Sequence, residues 1–245
     1  MHLDRDVGRG FFLTLEGPEG SGKSTQAQLL ATRLTSSGFR ATVTREPGGT
    51  PLGEAVRQIL LHDMSPVPTA DAFLFNAARA QLVAEVIEPA LARGEVVICD
   101  RFTDSTLAYQ GYGAGQPLDE LRDLARFATS GLIPDMTALI DLPIEDGLSR
   151  KVGGPEITRF ELDADLAFHR RVREGFLAMA VAEPARFLVV DGRRSADLVE
   201  AEIAEELMVR IGRRDGLLRG AEETAARGQI ASSSEPERAS LRMDK

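Results

Sequence analysis

The sequence predicts an α/β protein built on a five-stranded parallel sheet flanked by helices. Three observations lead there. Five apolar runs of strand length alternate with helical-period segments through most of the 245 residues, an order that closes into a parallel sheet with crossover helices. A glycine-rich turn, GPEGSGKST at 17–25, joins the first run to the first helical segment. Hydrophobic residues make up 43% of the chain and charged residues 27%, a balance that supplies a core and excludes wholesale disorder.

The elements follow in order. Residues 11–15 (FFLTL) form the first strand, and Ala27, Leu29, Leu30 and Leu34 recur at helical spacing up to Gly38. Strand two spans 41–44 and is broken by EPGG at 46–49; 52–61 is helical. Thr69 or Asp71 caps the next helix, whose apolar positions run from Phe73 to Ile87, with Pro89 placed to bend it. The fully apolar run 96–99 (VVIC) reads as a buried parallel strand ending in Asp100–Arg101. Then come a loop at 100–113, a helix at 118–129, a strand at 136–141 and a helix from Pro143 to about Lys151. A glycine-containing break at 152–158 precedes a long helix (163–182), a fifth strand (187–191) and a last helix (196–211).

This gives one domain over 11–213, a flexible N-terminus over 1–10 and a disordered tail over 214–245, rich in Glu, Arg, Ser and Ala. Continuation of the last helix to about Arg227 is the alternative for the tail. Ligands are expected at the carboxyl ends of the strands, where loops 16–25, 45–53, 100–113 and 192–195 gather.

Several classes are excluded. No apolar run approaches the ~20 residues of a membrane helix, and the charged N-terminus carries no secretory h-region. Cys99 stands alone, so neither an internal disulfide nor a cysteine metal cluster is possible, and a cytoplasmic protein is expected. The net charge of −9 argues against nucleic-acid binding. His2, His62 and His169 have no metal-ligand spacing.

The turn at 17–25 fits G-x-x-x-x-G-K-[ST] through Gly17, Gly22, Lys23 and Ser24, with a strand before it and a helix after it. Glycines let several backbone N–H groups face one anion, and the helix N-terminus adds partial positive charge. Gly17, Pro18, Glu19, Gly20, Ser21, Gly22, Lys23, Ser24 and Thr25 are therefore the expected ATP cradle. In it Lys23 reaches the β- and γ-phosphates, and Ser24 holds Mg²⁺. Lysine occurs only at 23, 151 and 245 among 29 basic residues, so its place here is not surface habit. The loop alone fits GTPases, motor ATPases and small-molecule kinases; a guanine-reading N-K-x-D is absent.

Three further segments, TREPGGTPLGE at 44–54, DRFTDSTLAYQGYG at 100–113 and FLFNAARAQL at 73–82, narrow the choice. With the phosphate loop, they make residues 10–212 resemble the thymidylate kinases, P-loop nucleoside monophosphate kinases of three-layer α/β architecture. The resemblance implies phosphorylation of dTMP to dTDP by ATP and Mg²⁺, two small-molecule substrates, no nucleic-acid or membrane partner, and a homodimer. Position by position it implies Asp100 beside Ser24 at the metal, Arg45 and Arg101 around the acceptor phosphate, and Glu46 and Pro47 also at the dTMP site. Phe75 stacks on thymine and Arg79 donates to its O4; Thr106 contacts the base edge, and Gln110, beside Tyr109, also belongs to the dTMP site. Tyr109 crowds the sugar 2′ position and Glu19 approaches the 3′-OH. Arg45 and Arg101 also follow from chemistry, since a dianionic acceptor needs fixed guanidinium forks. Another monophosphate or deoxynucleoside kinase of this fold, or a nucleotide-binding regulator without turnover, is the alternative.

The phosphate loop carries no basic residue at positions 18–21. Thymidylate kinases carry the cation over the transferring phosphoryl group either in this loop or on a lid, so the resemblance implies that the lid supplies it here. A lid at about 150–161 (RKVGGPEITRFE) offers Arg150 and Arg159, with Lys151 as helper; with Lys23 and Arg101 these are the catalytic candidates.

Overall fold

The computed structural model describes residues 9–63, 67–151 and 166–232. All five expected strands are present: β1 (Phe12–Glu16), β2 (Ala41–Arg45), β3 (Val96–Asp100), β4 (Met136–Asp141) and β5 (Phe187–Asp191). They pair in parallel in the order β2-β3-β1-β4-β5. Every residue of β1 is buried, as are those of β3 and β4 up to the partly exposed Asp100 and Asp141 at their carboxyl ends. Strands covered on both faces carry apolar residues in succession, which is why VVIC was legible as one of them.

The helices are α1 (Lys23–Ser36), α2 (Pro51–Gln58), α3 (Pro68–Leu82), α4 (Glu88–Ala92), α5 (Thr103–Thr106), α6 (Leu118–Ala128), α7 (Ile144–Lys151), α8 (Leu166–Ala182) and α9 (Ala196–Ser232). Side chains of β1 and β3 face both ways: Phe12, Val97 and Cys99 pack with Leu82, Ile87 and Leu91 of the α3–α4 stretch. On α1, Gln26 donates to the Ala196 carbonyl (2.9 Å) and Arg33 grips Glu200 through two bonds, tying α1 to the start of α9. Thr50 caps α2 by accepting the Gly53 N–H at 3.0 Å, with Pro51 at the first helical position.

Three stretches differ from the sequence expectation. Residues 100–113 were expected as a loop, but 103–113 are helical, α5 running into wider π-type turns over Leu107–Gly113. Gly111 and Gly113 signalled a loop; instead they admit close packing, since a Cβ on Gly113 would lie 2.7 Å from the Phe168 ring and 2.8 Å from Val172 on α8. The bend foreseen at Pro89 is met by π-type turns at Val83–Ile87, just before the residue that lacks a backbone donor. The last helix is drawn to Ser232, past the 211 at which the apolar periodicity ends and into the stretch expected as a disordered tail. That stretch holds Ala, Glu, Arg and Leu, good helix formers, and no proline before 236.

The chain divides into two compact units, Met1–Glu206 and Leu207–Lys245, and the sheet belongs to the first. Among the described residues no helix is long and apolar enough to cross a membrane.

One polar cluster locks the layer beneath α5. Arg186, entering β5, holds buried Asp104 through two bonds (2.6 and 2.9 Å) and donates to Thr137 on β4 (2.7 Å). Replacing Arg186 with Ala strands the Asp104 carboxylate, which is 3% exposed, in the interior. Equilibrium urea unfolding of Arg186→Ala is expected to show a loss of about 3–5 kcal/mol; a loss under about 1 kcal/mol would mean that the pair is solvated.

Candidate active site

The phosphate loop leaves β1 at Gly17 and re-enters helix at Lys23. Two of its glycines are required by geometry. Gly17 has φ +143° and its missing Cβ would strike the Ile140 carbonyl; Gly20 has φ +72° and abuts the Gly147 carbonyl of α7. Lys23 is buried, and its Nζ donates to the Gly17 and Pro18 carbonyls (3.0 and 2.9 Å) and to Ser21 Oγ (3.2 Å). Burial, and then the neighbouring Arg101 guanidinium, bring its ammonium down to about 8.

Ser24 Oγ donates to Asp100 Oδ2 at 2.5 Å. The two residues expected at the metal therefore meet, one from the start of α1 and one from the end of β3. A hydroxyl and a carboxylate beside a phosphate loop form a hard-oxygen donor set, the chemistry that suits Mg²⁺.

Arg101 follows directly, in the left-handed region at φ +71°. Its amide donates to the Leu15 carbonyl (2.9 Å). Its guanidinium reaches Gly17 O (3.2 Å), Ser105 Oγ (3.1 Å), Glu19 Oε1 (2.7 Å) and Tyr109 OH (3.1 Å). Tyr109 in turn donates to Glu19 at 2.8 Å. Arg101, Glu19 and Tyr109 are thus one unit that bridges the phosphate loop and the helix after β3.

A cavity of about 450 Å³ opens in front of this unit. It is lined by Glu19, Gly20, Gly22, Lys23, Ser24 and Thr25 of the phosphate loop and α1, by Asp100, Arg101 and Arg150, and by Arg45, Glu46, Pro47, Phe75, Arg79, Thr106, Tyr109 and Gln110. Of the expected positions, Gly17, Pro18 and Ser21 lie behind this lining, with carbonyl or hydroxyl oxygens turned to Lys23. Arg159 and the side chain of Lys151 lie outside the described residues. Arg150 is brought to the phosphate loop, donating to the Gly192 carbonyl at 3.1 Å and the Gly20 carbonyl at 3.4 Å.

Two expected contacts take a more specific form. Arg79 is fully buried and most of its donors are committed: Nε and Nη2 to Glu46 (2.9 and 2.7 Å), Nη2 also to Phe102 O and Thr106 Oγ, and Nη1 to Asn76 (2.9 Å). Glu46, expected at the dTMP site, accepts from Arg79 and fixes it. Arg45 is about half exposed and paired with Glu54 at 3.0 Å, a pair that an anion can compete for.

Sequence reasoning missed Ser105 and Arg57, which also line the cavity, and Glu16 behind it. Glu16 ends a strand that is otherwise FLTL; a carboxylate closing an apolar strand was the available signal. It accepts the Phe102 N–H (2.8 Å) and Ser105 N–H (3.2 Å) on Oε1, and its Oε2 lies 2.6 Å from Ser105 Oγ. Burial foremost, with Asp104 nearby, pushes its carboxyl from 4.5 up to about 8, against the pull of Arg101. Cys99 is a buried core thiol whose pKa burial raises, as expected of an unreactive residue.

A family model described as thymidylate kinase matches residues 15–203. Curated thymidylate kinases align over nearly their whole length. That of Deinococcus radiodurans is 52% identical over 80% of this chain and 96% of its own. That of Thermomicrobium roseum is 50% identical over 83% and 98%. A crystal structure of thymidylate kinase from Ehrlichia chaffeensis superposes with a TM-score of 0.68 at 33% identity, covering 82% of this chain and 99% of that one.

The Glu16 carboxyl gives the site a stability signature. From pH 4.5 to about 8 the folded chain keeps a proton on Glu16 that the unfolded chain has released. Stability from this group is therefore complete below 4.5 and is lost as pH rises through about 8. Urea unfolding of wild type and Glu16→Gln across this window should show the wild type falling relative to the variant as pH rises. A difference independent of pH would contradict the assignment.

Proposed function

The chain belongs to the thymidylate kinase family and phosphorylates dTMP to dTDP with ATP; we propose that it does so with Mg²⁺ and with the residues gathered around Arg101. The observation that carries this reading is one cavity lined both by the phosphate loop and by the arginines and aromatic residues expected to take the acceptor.

ATP lies with its phosphates on 17–25 and Lys23 against the β- and γ-oxygens. Ser24 and Asp100 would hold the metal, which would neutralise charge on the transferring group. The dTMP phosphate sits between Arg45 and Arg101. Its oxygen attacks the γ-phosphorus in line, and it is acidic enough to need no general base. Catalysis is then alignment and charge stabilisation in a site that excludes water. Arg150, already at the Gly20 and Gly192 carbonyls, supplies the cation that the phosphate loop lacks.

For the base, Phe75 stacks and Arg79 offers the remaining Nη1 hydrogen to O4, its other edge being held by Glu46. Thr106 Oγ accepts from Arg79, which turns the hydroxyl proton outward as a second donor. Tyr109, fixed by Glu19 and Arg101, favours deoxyribose. The exposed Phe73 on α3 supports the homodimer that the family resemblance implies.

An ATP-coupled assay over a panel of nucleoside monophosphates tests this reading. dTMP should lead, and dCMP, which presents an amino donor to Arg79, should lose roughly 1–3 kcal/mol in kcat/KM. Equal kcat/KM for the two would remove Arg79 from base reading. Lys23→Met should fold and lose at least ~10² in kcat. Arg150→Ala should cost on the order of 10³ in kcat with little change in dTMP affinity; a kcat within about threefold of wild type would assign the cation elsewhere.

A further inference from the structure

We propose that Glu16 is a positioning residue for the acceptor half of the site. From β1 it caps the helix that carries Ser105, Thr106, Tyr109 and Gln110, and through Ser105 it sets the Arg101 guanidinium. This rests on the reading of Arg101 as a ligand of the acceptor phosphate.

Helix α5 starts at Thr103, after Phe102, a residue with no side chain able to cap it. The N–H groups of a first helical turn have no intrahelical partner and need an outside acceptor. Both N–H groups that Glu16 takes belong to this start, Phe102 at the cap position and Ser105 three residues on. The carboxyl thus does the work of a capping box from a strand 86 residues earlier in the chain. It is fully buried and does not line the cavity, so water cannot replace it and substrate does not touch it.

The second oxygen makes the link to chemistry. Oε2 bonds Ser105 Oγ at 2.6 Å, and the same Oγ accepts from Arg101 Nη1 at 3.1 Å. Arg101 sits in a left-handed conformation, so the direction of its side chain depends on such fixed partners. Loss of Glu16 leaves the buried Phe102 N–H unpaired, leaves the Ser105 N–H only its bond to the Phe102 carbonyl (3.1 Å), and frees Ser105 to turn. The Gly17 carbonyl and Glu19 still hold Arg101 from the phosphate-loop side. The ATP half is therefore spared and the acceptor half loosened. Glu16→Gln keeps an acceptor for both N–H groups and presents an amide donor to Ser105 Oγ.

Steady-state kinetics at pH 7 with both substrates varied, on Glu16→Ala, Glu16→Gln and Ser105→Ala, test the assignment. Glu16→Ala should raise KM for dTMP roughly 10–100-fold, the scale of a misplaced binding group, with KM for ATP within about threefold. Glu16→Gln should return KM for dTMP to within about threefold of wild type. Ser105→Ala should raise KM for dTMP without affecting that for ATP, and combining it with Glu16→Ala should add little. A folded Glu16→Ala with dTMP KM near wild type would overturn the proposal, as would equal rises for both substrates. If Glu16→Ala does not fold, Ser105→Ala decides: an unchanged dTMP KM overturns the link. Failure of the wild type to phosphorylate dTMP would overturn the underlying reading instead, so the two failures are distinguishable.

Discussion

Parallel pairing of β1 with β3, in a register that sets Leu15 opposite Asp100, is the constraint on which the site depends. It releases the phosphate loop and Asp100–Arg101 at the same height and side by side. Ser24 then finds Asp100 across one hydrogen bond, and the Arg101 amide continues the ladder to the Leu15 carbonyl. Arg101 stands at positive φ, a conformation that costs an ordinary residue roughly 1–2 kcal/mol. Five interactions of the same residue offset that cost, four of them from its guanidinium.

That guanidinium explains how a chain of net charge −9 receives two anionic substrates. The positive charge is local and fixed. Lys23, Arg101, Arg45, Arg57 and Arg150 converge on one cavity, while the acids among them are committed: Glu19 to Arg101 and Tyr109, Glu54 to Arg45, and Glu46 to Arg79. Arg79 and Glu46 are almost wholly buried, so their pairing fixes direction rather than adding net charge. On the proposed reading, base recognition is left to the few hydrogens that this pairing does not use.

Much of this was legible in the sequence because it rests on local signals. The five strands were apolar runs bounded by glycine or charge. The phosphate loop was a spaced motif, and Phe75 and Arg79 stood one helical turn apart. The helix over 103–113 was not legible, because Gly111 and Gly113 carry the usual signal of a loop and their actual use, close packing against Leu118, Phe168 and Val172, appears only in three dimensions. Glu16 and Ser105 were missed for a related reason: their partners lie some 90 residues away in sequence, separations of 86 and 89. The commitment of Glu46 to Arg79 was equally invisible, since nothing in REPGG announces a partner on α3. The final helix outran its apolar periodicity because helix-forming composition alone sustains the backbone there.

The central claim is that one guanidinium joins the donor and acceptor halves. The most direct test is the single-turnover rate of phosphoryl transfer from ATP to dTMP by Arg101→Lys, measured by rapid quench at saturating substrates. Lysine keeps the charge but not the planar fork, so it cannot hold Gly17, Glu19, Ser105 and Tyr109 together. The account predicts a transfer rate lower by on the order of 10²–10³, the scale of one lost preorganised donor, in a protein that still unfolds cooperatively. A rate within about threefold of wild type would contradict it.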